Sequence, residues 1–152
     1  MLFLEKPEDF DSKMEVSSVF LEHDGRFLFL LRNDNKHEGN KWGVPAGKMD
    51  NGEDKRSTLI REMKEEIKVE LAEDNINECL TVYVRYPEVD YIFHISHYRL
   101  DQKPEIVLDE SENKEYRWVT LEDALQLNLV KDEDGCIGLF KNGWYNGNTA
   151  NS

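Results

Sequence analysis

The stretch GKMDNGEDKRSTLIREMKEEIKV, residues 47–69, is the most informative part of this sequence. Within it Leu59, Met63 and Ile67 recur at every fourth position, which is the spacing of one face of a helix. The pattern predicts an amphipathic helix over residues 54–69, whose apolar stripe packs against a sheet.

Three glutamates follow one another on the polar side of this helix. Glu62, Glu65 and Glu66 stand at i, i+3 and i+4, so their side chains project from neighbouring turns. Carboxylates this close repel one another unless a cation lies between them, and hard oxygens are the ligands that Mg²⁺ or Mn²⁺ prefers. The spacing therefore indicates a divalent-cation site, with Arg61 placed to hold one glutamate through a forked hydrogen-bonded pair.

The same letters have a simpler interpretation. A helix containing REMKEE is also typical of a solvated surface with i, i+4 charge pairs. The loop before the helix favours the functional interpretation. Gly43, Pro45, Gly47 and Gly52 interrupt the chain there, and such residues serve where a backbone turns tightly or approaches a ligand.

Taken together, these residues resemble the Nudix box. The matching positions are Gly47, Glu53, Arg61, Glu62, Met63, Glu65, Glu66 and Val69, preceded by the segment Trp42-Gly43-Val44-Pro45-Ala46. Two positions depart from the family pattern. Lys68 stands where a glycine usually precedes the last apolar residue, which bears on the end of the helix more than on the metal site. Ala46 stands where a second glycine is frequent.

The resemblance extends over about residues 15–143 and implies an α/β fold, an α/β/α sandwich with a mixed β-sheet and a loop–helix–loop box. It implies Glu62 and Glu66 as the principal metal ligands, with Glu65 and a main-chain carbonyl near Ala46 or Gly47 assisting.

Other box residues receive supporting roles from the same resemblance. Arg61 would orient a box glutamate, and Glu53 would support the loop or a second metal. The implied reaction is attack of a metal-activated water on a phosphorus of a pyrophosphate bridge. The substrate would be a nucleoside diphosphate linked to another group, and the cofactor Mg²⁺ or Mn²⁺.

The general base is less fixed in this family. Glu65 fills the role in some members, but Glu112, on a separate loop six residues before Trp118, is the preferred candidate here. Glu110 and Glu115 are its rivals. A surface carboxylate is the plain alternative for each of them.

Five residues are candidates for substrate binding. Gly47 and Glu53 belong to the box loop, and Arg32, Lys36 and Lys41 are bases suited to phosphate. Scattered surface bases are the default interpretation of the last three.

The rest of the sequence predicts a coarse order of elements. Strands are expected over residues 15–23, 26–32, 79–84, 91–100 and 116–119, and short helices over 121–127 and 135–140. Residues 1–145 are expected to form a single domain, and residues 146–152 a disordered tail.

Composition limits the partners. The 152 residues carry 32 Asp and Glu against 19 Lys and Arg, a formal charge of −13. Such a chain repels polymeric nucleic acid and anionic membranes, yet binds a small polyphosphate where divalent cations neutralise the contact. The N-terminus lacks the features of a secretory signal, and Cys79 and Cys136 are isolated, which together predict a cytoplasmic protein.

The box leaves the substrate open among nucleoside triphosphates, nucleotide sugars, ADP-ribose and dinucleoside polyphosphates. Two non-enzymatic readings remain: a Nudix-like module that senses a nucleotide or metabolite, and an acidic interaction scaffold. The complete set of Arg61, Glu62, Glu65 and Glu66 argues against the sensor, which need not keep every metal carboxylate. A homodimer is compatible with the sequence.

Overall fold

The computed structural model describes residues 1–149. The strands are β1 (Leu2–Phe3), β2 (Ser12–His23), β3 (Arg26–Arg32), β4 (Trp42–Gly43), β5 (Ala46–Lys48), β6 (Asn77–Arg85), β7 (Asp90–Arg99) and β8 (Asn113–Val119). The α-helices are α1 (Lys55–Glu66), α2 (Leu121–Ala124), α3 (Glu133–Phe140) and α4 (Asn146–Thr149). A 3₁₀ turn spans Glu73–Asn75, and a π-helical turn spans Lys141–Tyr145.

One mixed sheet contains these strands, and it opens along its middle. The order is β1-β6-β7-β2-β3-β4, with β5 against β2 and β8 against β3; β2 and β7 run parallel. Strands β2 and β3 pair only at their hairpin end, where Glu22 faces Phe27 and His23 faces Arg26. Beyond that point the two strands part. The short strands β5 and β4 then pair with β2 and β3 respectively, so they fill the opening.

Helices cover both faces of the sheet, which confirms the α/β/α sandwich. Alternate residues of β3 point to opposite faces, as the two-residue period of a strand requires. Leu28 and Leu30 belong to the buried cluster beneath α1, and Phe27 and Phe29 to the cluster that contains α3. The apolar stripe predicted for α1 is fully buried, with no measurable exposure of Leu59, Met63 or Ile67.

Several element bounds differ from those predicted. Strands β2, β6 and β8 begin at Ser12, Asn77 and Asn113, earlier than the pattern indicated, and α3 begins at Glu133. Helix α2 ends at Ala124, short of the predicted residue 127, and α4 covers part of the segment predicted to be a disordered tail. The rest of that segment, residues 150–152, lies outside the described residues. None of the described helices has the length and apolar character needed to cross a membrane.

Helix α1 ends three residues before the predicted boundary. Its last helical residue is Glu66, and the amides of Ile67 and Val69 both donate to the carbonyl oxygen of Met63, at 3.2 Å each. Lys68 adopts a left-handed backbone with φ of 58°, a conformation that favours glycine. The helix therefore stops where the family's glycine would stop it, and Lys68 bears the strain.

Replacing that lysine tests the strain directly. We expect Lys68→Gly to raise the free energy of unfolding by up to about 1 kcal/mol, because glycine adopts a positive φ without steric cost. Urea denaturation measures it. The matched control is Lys64→Gly within α1, which should lower the free energy of unfolding by about 1 kcal/mol. A loss of stability in both variants would show that Lys68 is not strained.

Candidate active site

The side chain of Glu62 lies directly against the backbone of Gly47. A Cβ built on Gly47 would stand 2.1 Å from Cγ and 2.2 Å from Cδ of Glu62, closer than real Cβ atoms come. Strand β5 holds Gly47 opposite Ser17 of β2, and α1 crosses over it. Glycine is required here by close approach to a neighbouring side chain, since its φ is not among the positive values.

Arg61 ties the loop after β5 to helix α1. Its Nε donates to Glu53 Oε2 at 2.7 Å and its Nη2 to Glu53 Oε1 at 2.9 Å, the forked geometry that guanidinium groups favour. Nη1 donates to Glu62 Oε1 at 2.9 Å and lies 3.5 Å from Glu65 Oε2, and Nη2 donates to the carbonyl of Lys48 at 3.2 Å. One guanidinium therefore orients a box glutamate and fixes the loop.

Glu53 is fully occupied by these protein contacts. Besides the fork with Arg61, its Oε1 accepts hydrogen bonds from the amide of Asp50 at 2.9 Å and from Thr58 Oγ1 at 3.1 Å. The Arg61 hydrogen bonds, with the Asp50 amide, lower the pKa of Glu53 to about 2. The carboxylate stays ionised and faces the loop, which fits loop support better than substrate or metal binding.

An acidic pocket of about 370 Å³ lies beside this assembly. Its lining residues come from four parts of the chain: Arg32, Ala46, Gly47, Lys48, Glu62, Glu65, Glu66, Asp109 and Glu112. The three box glutamates thus meet the loop before β8, as their predicted roles require. Glu65 is the most exposed of the three, with 59% of its side-chain surface accessible against 14% for Glu62.

The neighbouring carboxylates and burial have a large effect on the pKa of Glu66. Burial, together with the neighbouring carboxylates of Glu62, Glu112 and Asp109, raises the pKa of Glu66 to about 8. A carboxyl group that holds its proton to this pH marks a place where negative charge lacks compensation.

The pocket has the chemistry of a site for a hard divalent cation. Among residues 1–149, no group of three His, Cys, Asp or Glu side chains is assembled for a metal ion, and Glu62 accepts a hydrogen bond from Arg61. The donors present are nevertheless carboxylate oxygens, which suit Mg²⁺ or Mn²⁺. The carboxylates of Glu62 and Glu66 would hold the ion, with Glu65 and the carbonyl of Ala46 or Gly47 within the same pocket.

The structure separates the candidate bases. Glu112 lines the acidic pocket, whereas Glu110 and Glu115 do not. Glu110 is exposed and contributes only its carbonyl to Asn33, and Glu115 pairs with Arg117 on the exposed side of β8. Of these three glutamates, only Glu112 lines the pocket that the box glutamates line.

A larger cavity of about 590 Å³ opens beside the acidic pocket and shares six lining residues with it: Arg32, Ala46, Gly47, Lys48, Glu66 and Glu112. Its lining includes three aromatic residues that do not line the acidic pocket, Tyr86, Tyr91 and Phe93. The ring of Tyr86 lies under the ammonium group of Lys131 at 4.3 Å. The combined space suits a molecule with a flat apolar group at one end and several phosphates at the other.

Of the three predicted basic contacts, only Arg32 lines a cavity, whereas Lys36 and Lys41 line neither. Arg32 lines both cavities, and its Nε donates to the carbonyl of His37 at 2.8 Å. Lys41 lines neither, and its ammonium group lies 3.6 Å from Glu38. Lys48, which was not predicted, lines both cavities instead.

Sequence reasoning missed two acidic residues of the site. Asp109 reaches the acidic pocket because its amide donates to the carbonyl of Glu66 at 2.9 Å, which ties this loop to the end of α1. Glu133 lines the larger cavity with 5% exposure and accepts from the amide of Val44 at 3.0 Å. Burial raises the pKa of Glu133 to about 7. Neither residue belongs to a local motif, so the spacing of residues held no signal for them.

Comparison with known proteins agrees with this geometry. A sequence model of the NUDIX domain matches residues 12–139. The asymmetrical bis(5'-nucleosyl)-tetraphosphatase of Mus musculus is 33% identical over 124 residues, covering 79% of this chain and 77% of that protein. The CTP pyrophosphohydrolase of Escherichia coli K12 is 27% identical over 119 residues, covering 77% and 83%.

Solved structures show the same fold. The MutT Nudix hydrolase of Burkholderia pseudomallei superposes with a TM-score of 0.71 at 20% identity, covering 82% of this chain and 95% of that chain. The three box glutamates lie in one pocket, and the relatives are hydrolases of the same family. The protein therefore belongs to the class of enzymes that hydrolyse pyrophosphate bonds. The chain belongs to the Nudix family and is MutT-like.

Gly47 provides a test of the contact with Glu62. We expect Gly47→Ala to displace the Glu62 side chain and lower the free energy of unfolding by about 1–3 kcal/mol, because the added methyl group overlaps Glu62. Gly138→Ala in α3 is the matched control. It has open space around its Cβ position and should hold or gain stability. Equal behaviour of the two variants in urea denaturation would contradict the close approach.

The raised pKa of Glu66 predicts how the free energy of unfolding depends on pH. The unfolded chain releases this proton near the ordinary pKa of 4.5, whereas the folded chain holds it to about 8. The folded state binds more protons in that window, so its stability falls as pH rises through it.

Urea denaturation with a chelator present, from pH 5 to 8.5, measures this fall. Glu66→Gln should flatten it. Glu133, whose pKa burial raises to about 7, is present in both proteins, so the difference between the two profiles reports Glu66. Parallel pH profiles for the two proteins above pH 7 would show that Glu66 ionises normally.

Proposed function

We propose that this protein hydrolyses a phosphoanhydride bond in a nucleoside diphosphate linked to another group, with Mg²⁺ as cofactor and Mn²⁺ as a substitute. The observation that carries the proposal is the acidic pocket, where box glutamates and Glu112 converge next to an aromatic cavity. Such an arrangement supports phosphates in the acidic pocket and a nucleobase against Tyr86 and Phe93.

The substrate class is a nucleotide carrying two or more phosphates in a chain. Two relatives bear names of this kind, a bis(5'-nucleosyl)-tetraphosphatase and a CTP pyrophosphohydrolase. Arg32 and Lys48 line both cavities, so we assign them the phosphates between the base and the cleaved bond. Their positive charge and that of the cofactor offset the carboxylates that would otherwise repel the substrate.

We assign a role in the reaction to the residues in and around the acidic pocket. When bound, the divalent cation would screen the phosphate charge and polarise the cleaved bond. Glu62 and Glu66 hold it, Arg61 orients Glu62, and Glu53 fixes Arg61. Glu112 accepts the proton of the attacking water, because it lines the pocket from the loop before β8 and is not engaged by Arg61. Glu65 remains the alternative base.

The cysteines and the net charge support a proposal for the cellular setting. Cys79 and Cys136 are free thiols, and burial raises the pKa of both thiols, which supports a reducing compartment such as the cytoplasm. The formal charge of −13 supports a small nucleotide as partner in place of nucleic acid or a membrane.

A substrate panel with product identification tests the function. The panel contains a dinucleoside tetraphosphate, nucleoside triphosphates, a nucleotide sugar and ADP-ribose, each with Mg²⁺, with Mn²⁺ and with chelator. We expect metal-dependent hydrolysis of a P–O bond in a phosphoanhydride bridge. Nucleotide binding without turnover on the whole panel would favour a sensing module, and the absence of both divalent-ion and nucleotide binding would favour an acidic scaffold.

Single substitutions in the pocket distinguish the general base from the metal ligands. We expect Glu112→Gln to lower kcat by about 10²–10⁴-fold with unchanged metal affinity, which is the usual contribution of acid–base catalysis. Glu62→Gln should lower both kcat and metal affinity. Glu110→Gln and Glu115→Gln are matched controls outside the pocket. If Glu112→Gln retains wild-type kcat while Glu65→Gln loses it, the base is Glu65.

A further inference from the structure

The loop between β3 and β4, residues 33–41, is bound to the loop that carries Glu112. The amide of Asn33 donates to the carbonyl of Glu112 at 3.0 Å, and its side-chain amide donates to the carbonyl of Glu110. Asp34 pairs with Lys114. We name residues 33–41 the clamp loop.

Lys36 of the clamp loop reaches the Glu112 side chain itself. Its Nζ lies 3.0 Å from Glu112 Oε1, and neither side chain is more than 40% exposed. Lys36 does not line either cavity, whereas Glu112 lines both. The lysine therefore approaches the carboxylate from behind, leaving the pocket side of Glu112 open.

The backbone of the clamp loop is compact, so it can hold Lys36 in place. The amide of Lys36 donates to the carbonyl of Asn33 at 3.1 Å, and the amide of Gly39 donates to the carbonyl of Lys36 at 2.9 Å. A Cβ on Gly39 would lie 2.7 Å from the carbonyl oxygens of Asn33 and Asp34. The turn around Lys36 is too tight for a larger residue at position 39.

The other end of the clamp loop lies at the larger cavity. His37 and Glu38 line that cavity, and Glu38 Oε1 accepts from the amide of Lys131 at 2.9 Å. Lys131 in turn covers the ring of Tyr86. One short loop thus touches both the cavity assigned to the nucleobase and the carboxylate assigned to proton transfer.

We propose that Lys36 is a positioning residue that holds Glu112 in place for the reaction, so that the clamp loop links the larger cavity to the base. The proposal rests on the proposed function for the role of Glu112. Lys36 acts through Glu112 and does not bind the phosphates of the substrate.

A double-mutant cycle tests the proposal. Lys36→Met should lower kcat by about 2- to 5-fold with KM unchanged, since partly exposed ion pairs contribute little. Lys36→Arg should retain most of the activity. In a Glu112→Gln background, Lys36→Met should have no further effect, because its target is already absent. Lys141→Met, which removes an ion pair with Glu122 away from both cavities, is the matched control and should leave kcat unchanged.

Two kinetic outcomes would overturn the proposal. A rise in KM with constant kcat would make Lys36 a phosphate contact. An effect of Lys36→Met that persists in the Glu112→Gln background would show that Lys36 acts independently of Glu112.

A spectroscopic measurement separates this proposal from the proposed function. In the free protein, the ¹⁵N-detected signal of the Lys36 ammonium group should be protected from exchange and should be lost in Glu112→Gln but kept in Glu115→Gln. An ammonium signal that does not respond to Glu112→Gln would refute the positioning role even if the enzyme is active. A panel without turnover would refute the proposed function while this signal still reports the contact.

Discussion

The fork between Arg61 and Glu53 is the contact on which the site depends. It joins the loop after β5 to helix α1, and hydrogen bonds from Thr58 to Glu53 and from Arg61 to the carbonyl of Lys48 reinforce the connection. The fork uses two of the guanidinium nitrogens, Nε and Nη2, and the remaining nitrogen, Nη1, donates to Glu62. A cluster of like charges needs such an arrangement, because each carboxylate left alone would move toward solvent.

The box could be predicted from the sequence because its geometry is local. Glu62, Glu65 and Glu66 lie within one helix, so the spacing alone places them together. Asp109 and Glu112 enter the same pocket through a loop that docks on the end of α1, and no local pattern encodes that docking. Among the basic candidates, Arg32 was predicted and lines both cavities, whereas Lys41 is directed to Glu38.

The helix end shows how packing overrides local preference. The apolar stripe continues to Ile67, so its spacing predicts a helix that extends to about Val69. The buried positions of Ile67 and Val69 instead require the chain to turn at Lys68, which then adopts a left-handed backbone. The core therefore determines the boundary, and the side chain at position 68 adapts to it.

Strand β3 has a consequence for how the chain reaches this fold. Its core, Phe27 to Leu31, is an uncharged apolar run, with Arg26 and Arg32 at its ends. In the fold both edges are covered, by β8 on one side and by β2 and β4 on the other. Strand β8 begins more than 80 residues later in the chain, so one edge of β3 stays open until late in synthesis. During that interval the two flanking arginines act as charged gatekeepers, which oppose self-association of an otherwise aggregation-prone segment.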